Sequence, residues 1–161
     1  DISVNVAVPS LVQAEPMGLV PETGAEVLLE MTPYKKWQNL VLQAQALSAR
    51  AFEKPFTSET IAGRRRLALL VDMTHTTTLG FCLYYTHPDG GVGCQEEVLW
   101  IDQVAVLEAV RSRSLGRKLM TWAQEEAASR GCIAVRLTAL PMSFKFYYHM
   151  GFEVIDGRLD R

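Results

Sequence analysis

The stretch VAVLEAVRSRSLGRKL, residues 104–119, decides the fold of this chain. An apolar run typical of a strand is followed by a short turn of small and basic residues, and then by the start of an amphipathic helix. The first turn of a helix has N–H groups without helical partners and a partial positive charge, so it favours an anion. The segment therefore indicates a helix N-terminus that can hold a diphosphate.

The composition of this turn supports an anion site. Ser112, Ser114 and Gly116 have small side chains, which let an anion approach the main chain. The turn also carries four basic residues: Arg111, Arg113, Arg117 and Lys118. Each basic side chain at a helix N-terminus opposes the helix dipole by about 0.3–1 kcal/mol, which an anion would offset. The alternative is a capped helix whose basic first turn is only solvated.

Strands and helices alternate on both sides of this stretch. Strands are expected at residues 2–8, 25–31, 67–73, 79–86, 98–106, 133–139 and 152–155, and helices from Thr32-Pro33 to before Pro55, at 115–130 and at 142–150. The order predicts a mixed sheet with helices on its faces, which is an α/β fold (α+β in some schemes). The unit at 98–139 should join two parallel strands by a right-handed crossover.

Size and composition exclude several classes of protein. A chain of 161 residues fits one domain with an ordinary buried core. The net charge of −2 indicates no nucleic-acid partner, and no apolar run of about 20 residues could span a membrane. Because the chain begins with Asp1 rather than Met, we expect a fragment or a processed form.

The cysteines and histidines indicate no special site. Cys82, Cys94 and Cys132 have no regular spacing, so we expect reduced, mostly buried thiols in a cytoplasmic protein. His75 and His87 do not pair with these cysteines at the close spacing of a zinc site, so no metal is expected.

Two motifs in the C-terminal half resemble a known family. The segment from Arg111 to Gly116, RSRSLG, is similar to motif A of the GNAT superfamily of N-acetyltransferases, with Ser114 in place of the first glycine. Serine is small and a good N-cap, so this departure is expected to be mild. The segment Phe146–Phe152, FYYHMGF, resembles the family's Phe-Tyr-x-x-x-Gly-Phe pattern. The resemblance covers about residues 25–155.

The resemblance implies the GNAT fold, with a mostly antiparallel sheet, a central splayed parallel strand pair and acetyl-CoA as cosubstrate. The diphosphate would lie on the loop before the long helix, and the pantetheine arm would lie in the splay between the strands at 98–106 and 133–139. The implied acetyl-CoA-binding positions are Val104, Val106, Arg111, Ser112, Arg113, Ser114, Leu115, Gly116 and Arg117. One main-chain N–H of the first strand would stabilise the tetrahedral oxyanion.

The resemblance also implies two catalytic residues. Tyr147 occupies the position of the tyrosine that hydrogen-bonds the departing thiolate, and the alternative for it is a core aromatic residue. Asp102 shares a strand face with Trp100 and Val104 and is a candidate base or binder of a cationic amine. An acid in a mostly apolar strand is costly unless it is paired or functional, although a structural hydrogen bond would also explain it.

The remaining polar residues are expected to be solvated. They are Arg64, Arg65 and Arg66, which could alternatively reach the 3′-phosphate of CoA, Glu96 and Glu97, which could alternatively line the acceptor mouth, and His149. Tyr148 is expected to serve in packing. The amine acceptor should bind among residues 34–62 and 86–97, where no motif indicates its identity.

The family pattern is incomplete at its C-terminal end. The sheet usually ends with two strands after the tyrosine helix, and only residues 152–155 remain here. Residues 2–8 could take the missing place, a partner chain in a homodimer could supply it, or the chain could stop short. We divide the chain into an N-terminal arm, 1–24, and an acetyltransferase domain, 25–161. An asparagine that often precedes the tyrosine helix is also absent from Leu140-Pro141-Met142.

The sequence thus predicts an N-acetyltransferase that transfers an acetyl group from acetyl-CoA to a primary amine by direct attack through a tetrahedral intermediate. The acceptor amine is on a small molecule, a protein lysine or a protein N-terminus. One alternative is a catalytically silent acyl-CoA-binding regulatory module. Another is an interaction domain that does not bind CoA.

Overall fold

The structure, a computed structural model, describes residues 2–7, 26–31, 37–90 and 93–155. The strands are β1 (Ile2–Ala7), β2 (Glu26–Met31), β3 (Arg66–Asp72), β4 (Thr78–Pro88), β5 (Glu97–Val106), β6 (Ala134–Ala139) and β7 (Glu153–Val154). The α-helices are α1 (Gln38–Ala51), α2 (Ser58–Ala62), α3 (Leu115–Ser129) and α4 (Phe144–His149), with 3₁₀ segments at Glu108–Arg113 and Pro141–Ser143. None of these helices has both the length and the apolar composition needed to cross a membrane.

The expected strands and long helices are confirmed, with ends that shift by a few residues. The predicted helix start at Thr32-Pro33 lies outside the described residues. Helix α2 was not predicted, because its capping box uses Thr57 and Thr60 rather than the usual Glu or Gln at the third helical position. Gly131 closes α3 with a φ of 74°, the left-handed conformation expected of a glycine at this position.

The chain forms two compact units, each of which contains part of β4, β5 and α3. We call residues 16–85 and 103–121 the α1 unit, and residues 1–15, 86–102 and 122–161 the β1 unit. The strand order is β2-β3-β4-β5 in the α1 unit and β4-β5-β6-β1-β7 in the β1 unit. Four of the pairs, β2–β3, β3–β4, β1–β6 and β1–β7, are antiparallel, whereas β5 and β6 run parallel. This is the mixed, mostly antiparallel sheet that was expected.

Helices cover both faces of the sheet in the α1 unit. One core cluster joins alternate residues of β3 and β4 to α1 and consists of Leu40, Ala44, Leu47, Phe56, Leu67, Leu69, Val71, Phe81 and Leu83. Gly80 points to the opposite face, because successive strand residues alternate. A Cβ on Gly80 would lie 2.9 Å from the Ala105 carbonyl oxygen and 3.0 Å from Leu119 Cδ1, so a glycine lets α3 approach there.

In the β1 unit, the N-terminal strand fills the place that the sequence pattern left empty. Strand β1 lies between β6 and β7 and pairs with both, from Ile2–Ala139 to Ala7–Ala134 and at Val4–Val154. Val4 and Val6 are buried, which ties this strand to the core. Three sources were possible for the missing strand, and in the structure the chain's own N-terminal residues supply it. The boundary between an arm and a domain at residue 24 stays a prediction.

Candidate active site

The parallel ladder between β5 and β6 ends halfway along β5. Paired residues run from Val98–Ala134 to Ile101–Leu137, whereas β5 itself continues to Val106. Among the described residues, the pairing with β6 does not reach the segment from Asp102 to Val106. The parallel pair that was expected is confirmed, whereas the splay of its two strands stays a prediction.

After β5 the chain forms a 3₁₀ segment instead of the simple turn that was predicted. The Leu107 N–H donates to the Leu79 carbonyl at 2.7 Å, which fixes the end of β5 to β4. The Val110 N–H donates to the Leu107 carbonyl at 3.0 Å, and the Arg111 Nε donates to the Val106 carbonyl at 3.3 Å. These bonds order the basic segment up to Arg113.

Ser114 joins this segment to α3 in the left-handed conformation, with φ 57° and ψ 26°. The expectation that serine is a mild replacement here is wrong in one respect. A non-glycine residue in this conformation lowers the stability of the folded state by about 1 kcal/mol, because its Cβ is crowded by the backbone. A glycine has no Cβ and avoids this cost. An ordinary N-cap residue, in contrast, has an extended backbone.

The first turn of α3 presents the donors of the anion site. The first helical bond of α3 runs from the Lys118 N–H to the Ser114 carbonyl, at 3.2 Å. The N–H groups of Leu115, Gly116 and Arg117 precede this bond and therefore have no carbonyl of their own helix to bind. Leu115 anchors the turn because its side chain is buried.

The basic side chains around this turn are exposed. They are Arg111, Arg113, Arg117 and Lys118, whereas Val104, Val106 and Gly116 are half-buried. The structure thus brings the sequence-predicted acetyl-CoA positions from Val104 to Arg117 together in the α1 unit. Main-chain donors and positive charge occur together on one helix N-terminus, an arrangement that suits a diphosphate.

Tyr147 lies on α4, in the β1 unit, with 8% of its surface exposed. Its ring makes edge-to-face contacts with Phe146 at 5.1 Å and Phe152 at 5.7 Å. Gly151 has a φ of 90°, so the chain reverses after α4 and the Phe152 N–H reaches the Tyr147 carbonyl at 3.0 Å. The Phe-Tyr-x-x-x-Gly-Phe spacing therefore brings the ring of Phe152 against the ring of Tyr147. Tyr148 is 63% exposed, and its ring packs at the surface of α4, with its centre 6.1 Å from the ring centres of Phe144 and His149.

Asp102 also belongs to the β1 unit and directly follows the last residue of β5 that pairs with β6. Its side chain is exposed. An exposed carboxylate has a smaller desolvation cost than a buried one, so its position in the strand does not by itself require a functional role. The role of Asp102 as a base or as a binder of a cationic amine stays a prediction.

The secondary candidates lie mostly at the surface, as expected. Arg64, Arg65, Arg66, Glu96 and His149 are all exposed. The Arg65 guanidinium lies 5.4 Å from the Tyr85 ring centre, a cation–π contact. Glu97 differs from the expectation, since it is half-buried in β5 and its carbonyl accepts the Ile133 N–H at 2.9 Å.

All three cysteines are free thiols. Burial raises the pKa of Cys82 to about 12. Burial, together with the charge of Glu97, raises the pKa of Cys132. Neither buried thiol is therefore suited to nucleophilic chemistry. In the part of the chain that the structure describes, no group of three His, Cys, Asp or Glu side chains could hold a metal ion.

One polar residue near these positions was not singled out from the sequence. Gln103 uses its amide to bind Ser48 and Lys54, which are more than 45 residues away along the chain. The only sequence feature that could have indicated a role for Gln103 is its polar side chain in an otherwise apolar strand. That signal does not identify its partners, because they come from distant helix and loop positions.

Comparison with known proteins gives a consistent result. Residues 35–152 match the model of the acetyltransferase (GNAT) family. An acetyltransferase of Trypanosoma brucei has a TM-score of 0.67 at 21% identity, covering 84% of this chain and 98% of its own. Glucosamine-6-phosphate N-acetyltransferase of Arabidopsis thaliana has a TM-score of 0.67 at 14% identity, covering 84% and 97%. The aminoglycoside N-acetyltransferase AAC(6')-Iy in complex with CoA has a TM-score of 0.63 at 17% identity, covering 84% and 92%.

A search of curated protein sequences finds no significant match. The structural likenesses, all at low identity, show a shared fold. The family model covers most of the chain, including the basic turn before α3 and the Tyr147 segment. The chain therefore belongs to the GNAT family of acetyltransferases and is an acyltransferase.

Proposed function

We propose that the protein is an N-acetyltransferase that transfers the acetyl group of acetyl-CoA to a primary amine. The observation that carries the proposal is the N-terminus of α3, where main-chain donors and exposed basic side chains follow a strand that leaves its parallel partner. In the reaction, the amine nitrogen attacks the thioester carbonyl, the C–N bond forms, and the C–S bond breaks to release CoA.

The chain binds the donor through the α1 unit. The N–H groups of Leu115, Gly116 and Arg117 bind the diphosphate, with added charge from the side chains of Arg111 and Arg113. The helix dipole strengthens this binding, because its positive end faces the anion. Main-chain groups of Val104 and Val106 hold the pantetheine arm, and a strand N–H stabilises the oxyanion of the tetrahedral intermediate.

Tyr147 assists the departure of the thiolate. A phenol has an ordinary pKa of about 10, above that of a thiol near 8.5, so it hydrogen-bonds the developing thiolate without losing its own proton. The aromatic contacts with Phe146 and Phe152 restrict the orientation of its ring. Restricting this orientation lowers the entropy cost of positioning the hydroxyl in the transition state.

Asp102 removes the proton of the amine or binds its cationic form. An alkyl ammonium with a pKa near 10.4 is almost fully protonated at pH 7, a deficit of about 4–5 kcal/mol for the neutral nucleophile. We expect Asp102→Asn to lower kcat/KM more at pH 7 than at pH 9, where more of the amine is already neutral. Rates of CoA release at the two pH values measure this, and an equal loss at both would remove Asp102 from proton transfer.

The acceptor is proposed to be a small-molecule amine. Two of the similar structures are N-acetyltransferases named for glucosamine 6-phosphate and for aminoglycosides, whose acceptors are small amines. A suitable panel contains glucosamine 6-phosphate, kanamycin, spermidine and a lysine-containing peptide. The peptide tests the competing possibility of a protein acceptor.

The decisive experiment combines CoA binding with turnover. CoA at 100 times its Kd should stabilise the protein by about 2.7 kcal/mol, and the panel should release free thiol from acetyl-CoA. Gly116→Glu places a carboxylate against the diphosphate and should abolish the CoA-dependent thermal shift, whereas Gly63→Glu, at a turn where a Cβ meets only the Thr60 carbonyl at 3.7 Å, should not.

Tyr147→Phe should retain CoA binding and lose about 10- to 100-fold in kcat, whereas Tyr148→Phe serves as the exposed control. CoA binding without turnover on any amine would favour the silent regulatory module. The absence of any CoA-dependent shift in the wild-type protein would contradict the proposed function.

A further inference from the structure

The guanidinium of Arg136, on β6, connects three segments of the β1 unit. Its Nη1 and Nη2 donate to the two carboxylate oxygens of Asp89, the second of these bonds at 3.2 Å. Its Nε donates to the side-chain oxygen of Asn5, on β1, at 3.2 Å. Asp89 directly follows β4, and its N–H donates to the Glu96 carbonyl at 2.8 Å. One side chain on β6 thus joins the turn after β4 to the N-terminal strand.

The geometry of this cluster favours one fixed arrangement. A guanidinium is planar, so a two-pronged bond to one carboxylate fixes its orientation as well as its position. The amide of Asn5 must turn its oxygen towards Nε, because Nε can only donate. The side chains of Arg136 and Asp89 are 23% and 24% exposed, so both are partly shielded from water. A two-pronged pair of this kind holds its partners better than a fully exposed single contact does.

Asn5 lies between the two strands that flank β1. It pairs with Arg136 on β6 and with Glu153 on β7. Among the described residues, β7 pairs with β1 alone, so its position depends on that strand. Val4, beside Asn5, is completely buried, which ties β1 to the core. The bond from Arg136 to Asn5 therefore restrains the strand that holds β7.

Strand β7 begins directly after Phe152, the residue that packs against Tyr147. The Phe152 side chain is 1% exposed, and its ring centre lies 5.7 Å from that of Tyr147. The Phe152 N–H also donates to the Tyr147 carbonyl at 3.0 Å. Because buried side chains are closely packed, a shift of β7 would move the surface on which the Tyr147 ring rests. A continuous series of contacts thus leads from Arg136 through β1 and β7 to Tyr147, all within the β1 unit.

We propose that Arg136 is a positioning residue for Tyr147, acting through Asn5 and the strands β1 and β7. The proposal rests on the N-acetyltransferase function and on the role of Tyr147 in it, and it gives Arg136 no contact with either substrate. A phenol hydroxyl that is displaced by a fraction of an ångström hydrogen-bonds the departing thiolate less well. Loss of the Arg136 bonds should therefore slow the chemical step and leave substrate binding unchanged.

Arg136→Met removes all three side-chain bonds and keeps an unbranched side chain. It should lower kcat about 5-fold, with less than about a 2-fold change in the KM for acetyl-CoA or for the amine. In the Tyr147→Phe background the same change should lower kcat by less than about 2-fold, because the hydroxyl that Arg136 positions is already gone. A residue that only stabilised the fold would have the same effect in both backgrounds.

The matched control is Arg130→Met, which breaks an ion pair of the same chemical type in the same unit. Arg130 binds Glu126 on α3 at 2.6 Å and is 26% exposed, close to the exposure of Arg136. This pair joins neighbouring turns of one helix and does not connect strands. We therefore expect Arg130→Met to leave kcat unchanged.

Two variants of Asn5 test the route and keep the pair of Arg136 with Asp89, so they apply even where Arg136→Met does not fold. Asn5→Leu removes the oxygen that Nε binds and should lower kcat about as much as Arg136→Met, whereas Asn5→Asp keeps an oxygen there and should retain kcat within about 2-fold. An unchanged kcat in Arg136→Met, or equal losses in the wild-type and Tyr147→Phe backgrounds, would overturn the proposal. Failure of the proposed function itself would show differently, as a wild-type protein without a CoA-dependent thermal shift.

Discussion

Single residues in the left-handed conformation mark where this chain changes direction. Gly131 and Gly151 have positive φ angles of 74° and 90°, and each follows the end of a helix. Ser114 adopts φ 57° in the turn that precedes the anion site. The sequence motif showed that a serine replaces a glycine there, but not that the backbone is left-handed, because φ is set by the geometry of the whole turn.

Ser114→Gly should stabilise the protein, because glycine adopts the left-handed conformation without the steric cost that serine has. The gain should be about 0.5–1 kcal/mol, or a rise in Tm of about 1–4 °C for a chain of this size. Thermal unfolding followed by circular dichroism measures it. Gly131→Ala is the reverse control and should lower Tm. A lower Tm for Ser114→Gly would show that the Ser114 side chain stabilises the folded state by more than the left-handed backbone destabilises it.

At the scale of elements, the apolar periodicity predicted most strands and helices, but it did not predict which strands pair with one another. Apolar alternation and helical spacing located β3, β4, β5, β6 and α3, because burial acts on each element separately. The position of β1 between β6 and β7 could not be predicted, since a short strand carries no signal of which edge it joins. Helix α2 was missed because its capping box has Thr60 in place of Glu or Gln and because none of its residues is buried, so that it shows no apolar period.

Removal of residues 1–7 should destabilise the β1 unit. The deletion exposes the edge of β6 and loses the burial of Val4 and Val6, each worth about 1.5–3 kcal/mol. It also leaves β7 without the strand that it pairs with, Val4–Asn5. Urea unfolding of the deletion variant measures the loss.

A synthetic peptide of residues 1–7 should restore part of this stability when added to the deletion variant, whereas the same peptide with Val4→Asp should not. This comparison distinguishes strand pairing from non-specific binding of a short peptide. A deletion variant as stable as the full chain would show that β1 contributes nothing to the unit.

At the scale of the whole molecule, the family could be predicted from the sequence and the acceptor could not. Motif A and the Tyr147 segment are local patterns, so they indicate the fold and the donor site directly. Contacts between distant segments, such as Ser48–Gln103, 55 residues apart, are encoded by no local pattern. The exposure of Asp102 was not predicted from the sequence, and its role stays a prediction.

Acid should weaken the whole molecule partly through the hairpin between β3 and β4. The Asp72 carboxylate accepts the N–H groups of Thr76 at 2.8 Å and Thr77 at 3.0 Å. Backbone hydrogen bonds from Thr77 and Thr76 lower the pKa of Asp72 from 3.8 to about 2. The lowered pKa means that the folded state favours the ionised form. This contribution is complete above pH 4 and is lost as the pH falls towards 2.

Asp72→Asn should therefore reduce the dependence of the unfolding free energy on pH between 4 and 2. Urea unfolding midpoints at several pH values in this window, compared with pH 7, measure the effect. Thr74→Val, which removes a side-chain donor to Asp72 at 2.9 Å and a contact with the Thr76 hydroxyl but keeps both backbone donors, should have a smaller effect of the same sign. An identical pH profile for wild type and Asp72→Asn would show that the hairpin does not sense acid.

The place of β1 in the sheet also determines when the enzyme can mature during translation. Asn5 of β1 binds the side chain of Arg136 on β6, 131 residues later. The first strand therefore leaves the ribosome long before the strands that flank it, and it waits unpaired while they are made. Contacts so distant in sequence form slowly. The β1 unit, which includes Tyr147, can therefore close only after β6 has been synthesised, so the surroundings of this tyrosine form late.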